Sequence, residues 1–97
     1  MRSSRFLSPA EREMVQAARY YESKVPTLGA EFLLEIEAAV RSIETHPDAA
    51  PNVRGDIRRR LVRRFPYAVL YRAAPEGILI LAVMHQRRRP DYWHGRE

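Results

Sequence analysis

The chain has no cysteine, one lysine, one tryptophan and only four glycines among its ninety-seven residues. Without cysteine, neither disulfides nor thiolate metal sites can hold the fold, which suits a reducing compartment. Gly29, Gly55, Gly77 and Gly95 are isolated, which excludes a glycine-rich phosphate loop. No apolar run approaches the roughly 20 residues that cross a bilayer. The opening MRSSRFLSPA also lacks the apolar core of a secretion signal. His46, His85 and His94, with no thiolate and no HExxH pattern, do not make a metal site. GxSxG, the nucleophile elbow of many hydrolases, is missing too. These absences predict a cytoplasmic protein with no cofactor, no metal and no membrane contact.

Arginine is what the chain has in quantity. All seventeen basic residues except Lys24 are arginine, against twelve acidic residues, for a net charge of +5. Residues 1–48 hold six basic and eight acidic groups, a net of −2; residues 49–97 hold eleven and four, a net of +7. The guanidinium fork suits phosphate and carboxylate and stacks on flat rings. A basic half of this kind implies an acidic partner, a nucleic acid or an acidic protein segment, unless it is only a solvated surface.

Periodicity sets the expected order of elements. RSSRFL has the character of a short edge strand. In SPAE, Ser8 is placed to cap a helix, Pro9 to open it and Glu11 to close a capping box. Ala10, Met14, Ala17, Ala18 and Tyr21 then recur at helical spacing. Pro26 forces a break, and from Thr27 a second helix presents Leu28, Phe32, Ile36, Ala39, Val40 and Ile43 on one face. THPDAAPNVRGD has loop composition. DIRRRLVRRF, FPYAVLYRA and ILILAVMH follow as three strands of an antiparallel meander, with Pro75 and Gly77 turning the last pair. The expected fold is α+β: a two-helix antiparallel hairpin packed on one face of a small, mainly antiparallel sheet, in the order β-α-α-β-β-β, with residues 1–97 as one domain. The opposite sheet face should then gather arginines from RRRLVRR and from the QRRRP tail.

Chemistry is concentrated in HQRRRPDYWHG, residues 85–95. His85, Arg87, Tyr92 and His94 are the types that metal-free RNA cleavage needs: a base, a phosphate-stabilising cation and a proton donor. Their spacing alone does not specify a site, and a histidine at a strand end is more often structural. Trp93 has two readings, a lid over the end of the sheet or, with Tyr92 and the arginines, a stacking and cationic docking surface. Tyr20 and Tyr21 are read as packing residues, one ring in the core and the other at its rim.

ARYYESKVPTLGAEFLLEIEAAVRSIETHP, RRRLVRRFPYAVLYR and ILAVMHQRRRPDYW, in this order, resemble the RelE/ParE superfamily of bacterial type II toxins, nearest the ParE branch. The likeness runs from about Phe6 to Arg96. It implies a small α+β toxin, a cognate antitoxin whose acidic and apolar C-terminal segment folds on binding, and, for the ParE branch, inhibition of DNA gyrase. For the RelE branch it implies ribosome-dependent mRNA cleavage. Where such nucleases place a catalytic arginine after the tyrosine of the FPY segment, this sequence has Ala68, which favours the ParE branch and a non-enzymatic action. A toxin-like protein that only binds its antitoxin is a third possibility. Arg87, Arg88, Arg89, Tyr92 and Trp93 are the expected target-binding residues, with Arg59, Arg60 and Arg63 as a supporting basic surface.

Overall fold

A computed structural model describes residues 2–96. The elements are β1 (Ser4–Phe6), α1 (Ser8–Lys24), α2 (Leu28–Thr45), β2 (Asn52–Arg54), β3 (Ile57–Leu61), β4 (Tyr67–Ala74) and β5 (Gly77–His85). They form the expected helical hairpin on one five-stranded sheet of order β1-β5-β4-β3-β2. All neighbouring strands are antiparallel except β1 and β5, which run parallel, Ser4 beside Ile78 and Phe6 beside Ile80.

The helices form where their apolar stripes demand burial. Ala10 and Ala17 of α1 and Phe32, Ile36, Ala39 and Ile43 of α2 are buried against Val69, Tyr71, Ile78, Ile80 and Val83 of the sheet. Phe65 and Tyr67 extend this layer, meeting Tyr21 and Phe32 edge-on at ring separations of 4.8 to 6.3 Å, a favoured aromatic geometry. Tyr71 is fully buried, and its hydroxyl donates to the carbonyl of Pro47 at 2.7 Å. Arg58 adds bonds to the carbonyls of Ala50 at 2.6 Å and Asp48 at 3.2 Å, so the loop after α2 is closed against the sheet.

Local details depart from the sequence reading. Leu7, not Ser8, occupies the N-cap of α1, and no side chain caps that end. The capping box therefore does not form; Glu11 bonds the Leu7 carbonyl through its backbone. Thr27 is the N-cap of α2, at a left-handed φ of 72°. The cap is supplied instead by Glu22 of α1, whose carboxylate accepts from the backbone N–H groups of Thr27 and Gly29, each at 2.9 Å. A carboxylate there also opposes the positive end of the helix dipole. The segment read wholly as loop contains β2, which turns through Gly55 at φ 56° and pairs with the start of β3.

One extra residue in β5 shapes everything after it. Tyr71 lies opposite Ile80 but Leu70 opposite Ala82, so Leu81 is an inserted bulge residue. The alternation shifts there. Ile78 and Ile80 face the helices before it, and Val83 does so after it.

Gly29 sits where the two helices touch. A Cβ at this position would collide with the carbonyl oxygen of Ala18 and come within 2.9 Å of the Glu22 Cβ. Gly29→Ala is expected to destabilise the fold by about 1–3 kcal/mol, measured as a lowered denaturation midpoint, although alanine is the better helix former.

Candidate functional site

β1 ends at Phe6, so the outer edge of β5 is covered only as far as Ile80, whose carbonyl accepts from Leu7 N–H at 2.9 Å. Beyond the bulge the edge is closed by side chains. Glu13 of α1 accepts the Val83 N–H at 3.0 Å, and Arg96 donates to the Leu81 carbonyl at 3.0 Å. The same two side chains bond each other as a fork, Arg96 to both Glu13 oxygens at 3.0 and 2.9 Å. The Tyr92 hydroxyl donates to Glu13 at 2.6 Å. One carboxylate thus takes four donors from β5 and the tail. Both partners are mostly buried, at 16% and 18% side-chain exposure, where such a pair is strong if all its bonds are made.

The tail folds back through this anchor. Tyr92 lies between two guanidinium groups, Arg88 at 3.9 Å and Arg96 at 4.9 Å from its ring centre. Burial first, and then the Glu13 carboxylate, push the Tyr92 hydroxyl far above its ordinary range, so it stays protonated. Glu13 likewise holds the Arg96 guanidinium more firmly protonated. Trp93 is 4% exposed and packs with Leu70, Leu79, Leu81 and Met84 on the sheet face away from the helices, its indole N–H donating to the Pro90 carbonyl at 2.7 Å. It is a lid on that face.

The arginines divide into several groups rather than one. Directly opposed residues on neighbouring strands share a face. A cross-strand row therefore runs Arg5, Leu79, Arg72, Ile57, Arg54 over the face away from the helices, and Arg59 joins it opposite Leu70. Arg58 and Arg60 stand opposite Tyr71 and Val69, and so point to the helical side. Arg60 and Arg63 line a groove with Glu35, Ala38 and Ala39 of α2, and Arg64 pairs with Glu31 at 2.7 Å. Arg87, Arg88 and Arg89 are exposed in the turn beyond β5. The expected gathering of the 58–64 and 87–89 arginines on one face is thus only partial, because strand alternation and the turn send them in different directions.

His85 stands at the end of β5 with its ring 5.0 Å from that of Tyr67. Its Nδ1 accepts the backbone N–H of Arg87 at 3.0 Å. In the neutral ring that leaves Nε2 carrying the proton, so no lone pair is free to take one from a substrate. Ala68, in the position of the missing arginine, is fully buried. Glu13 escaped the sequence reading, yet a signal was present. It lies three residues after Ala10 and four before Ala17, so a carboxylate interrupts the buried stripe of α1.

A family model described as ParE toxin of the type II toxin–antitoxin system parDE matches residues 5–90. The chain belongs to this family of ParE toxins. Among solved structures, the chromosomal ParDE TA system from P. aeruginosa superposes with a TM-score of 0.77 at 17% identity, over 88% of this chain and 96% of that one. At that identity the likeness speaks for the ParE fold. No curated protein matches the sequence. Among the described residues, no helix of this ParE family member is long and apolar enough to cross a membrane, and no cluster of histidine and carboxylate side chains could hold a metal ion.

Removing the Glu13 carboxylate should release the tail. Glu13→Ala is expected to cost about 3 kcal/mol and to expose the single tryptophan. Acrylamide quenching of Trp93 fluorescence under native conditions should rise, and an unchanged quenching constant would refute the anchoring role.

Proposed function

We propose that this ParE family member is a non-enzymatic toxin that binds and inhibits DNA gyrase and is held inactive by a cognate antitoxin. The observation that carries the reading is the exposed Arg87–Arg89 turn, fixed in place by the Glu13 anchor, while His85 Nδ1 and the Tyr92 hydroxyl are engaged in hydrogen bonds of their own. Three adjacent guanidinium groups on a rigid base suit recognition of carboxylates or phosphates. The nuclease alternative needs His85 or Tyr92 to move protons. His85 has its Nδ1 lone pair engaged, and the Tyr92 hydroxyl is committed to Glu13. Arg87, Arg88 and Arg89 therefore make the contacts in this reading, and Tyr92 and Trp93 hold them from beneath.

An antitoxin segment of acidic and apolar composition finds its complement beside α2 at the open edge of β3, one strand removed from β5. Leu61, 55% exposed, lines a groove there with Arg60 and Arg63, and Leu33 and Leu34 of α2 are 40% and 63% exposed. β2 pairs only with the first two residues of β3, so among the described residues no strand lies beside the edge of β3 from Arg60 onward. Apolar surface, cations and an open edge together suit a chain that folds on binding.

Two experiments test the reading. The Arg87→Ala, Arg89→Ala double variant should lose growth arrest and inhibition of gyrase supercoiling while melting as the parent does. Unchanged toxicity, or cleaved mRNA with gyrase unaffected, would overturn it. Leu61→Glu should weaken antitoxin affinity roughly ten-fold or more in a titration of the purified pair while growth arrest persists. Parental affinity would move the antitoxin elsewhere.

A further inference from the structure

A cleft of about 190 Å³ opens between α1 and the end of the sheet, beside the basic turn. Its walls are the rings of Tyr20, Tyr67, His85 and Tyr92, with Gln16 on the helix side and Arg88 at the turn. A cavity of about 150 Å³ already accepts benzene, so there is room for one aromatic or long aliphatic side chain. Tyr20 is 57% exposed, a costly way to place a large ring if packing were its only purpose. Its neighbour Tyr21 does the packing, in contact with Phe32 and Phe65.

The polar groups around the cleft are mostly donors. Glu13 also lines it, but its two oxygens already take four hydrogen bonds. The Arg87 N–H on His85 Nδ1 leaves the Nε2–H outward as a donor. Arg88 brings a full charge, and burial keeps the Tyr67 hydroxyl protonated by raising its pKa. A ligand here must offer a ring or apolar chain together with an acceptor or an anion. Nucleic acid fits poorly, because its backbone needs a track of cations and Arg88 is the one arginine or lysine in the lining, which also holds the Glu13 carboxylate. A protein anchor residue fits well, since buried rings flanked by arginine are the usual composition of binding hot spots.

We infer that this cleft is the specificity pocket of the toxin's target-binding surface, and that it takes a bulky apolar or aromatic side chain of the target protein whose neighbouring carboxylate pairs with Arg88. The inference rests on the reading that the Arg87–Arg89 turn docks the target, and it extends that surface onto α1. It does not depend on the target being gyrase.

The test therefore uses growth arrest, which reports any target, alongside gyrase inhibition and antitoxin affinity. Tyr20→Ala removes a wall, Gln16→Phe fills the space, and Tyr20→Phe keeps the ring. Tyr20→Ala and Gln16→Phe should each raise the toxin dose needed for arrest roughly ten-fold or more, with antitoxin affinity and melting as in the parent, and Tyr20→Phe should behave as the parent. Arrest at the parental dose in both variants overturns the pocket, whatever the Arg87 and Arg89 variant does. Loss of antitoxin affinity with arrest intact overturns it in favour of the antitoxin as occupant. If the parent arrests growth without inhibiting gyrase and the variants still lose arrest, the gyrase assignment fails and the pocket stands.

Discussion

The molecule depends on closing a strand that its neighbour leaves half covered. β1 is three residues long and reaches only Ile80, whereas β5 runs on to His85. An exposed strand edge is a template for unwanted pairing, and buried backbone groups need partners. A single carboxylate answers both needs. Glu13 takes the free Val83 N–H from one side and the hydroxyl and guanidinium of the returning tail from the other. Edge protection and tail placement are thus one interaction, and neither could be loosened without the other.

That coupling explains how an arginine-rich terminus stays ordered. Three consecutive exposed cations repel one another and carry large side-chain entropy, so a free tail of this composition would wander. Here the backbone bends through successive tight turns, with Tyr92 N–H on Arg89, His94 N–H on Asp91 and Arg96 N–H on Trp93 carbonyls. Trp93 enters the apolar face behind it. A surface held in its binding conformation loses less entropy on association. The sheet face beneath Trp93 is a second apolar layer, so one sheet carries a core on each side.

Much of this was legible in the sequence where burial imposes a period. Both helices, the meander and the alternation of Phe65, Tyr67, Val69 and Tyr71 follow from apolar spacing and appear as expected. β2 was not legible because all three of its residues are exposed, so no alternation marks it. The cap of α1 was misread: Leu7, not Ser8, stands at the N-cap, and no side chain caps that end. The start of α2 is capped by Glu22 of the preceding helix, a contact that no local spacing marks. The distribution of arginines needed the register itself, since Arg58 and Arg59 leave the same strand for opposite faces. Glu13 carried a signal, a charge within an apolar stripe, but its partners lie about seventy residues or more away in the chain.

The bulge at Leu81 sets which face of the sheet each later residue of β5 meets. With the insertion, the last residues of β5 send Val83 toward the helices and set His85 beside Tyr67. Paired regularly, without the bulge, the same residues would set Met84 opposite Tyr67 and send the histidine to the tryptophan side, among Arg59 and Arg54. Two toxins of this fold could then share a C-terminal signature and display it on opposite surfaces. Pairing register, more than the motif letters, would tell which surface each one presents.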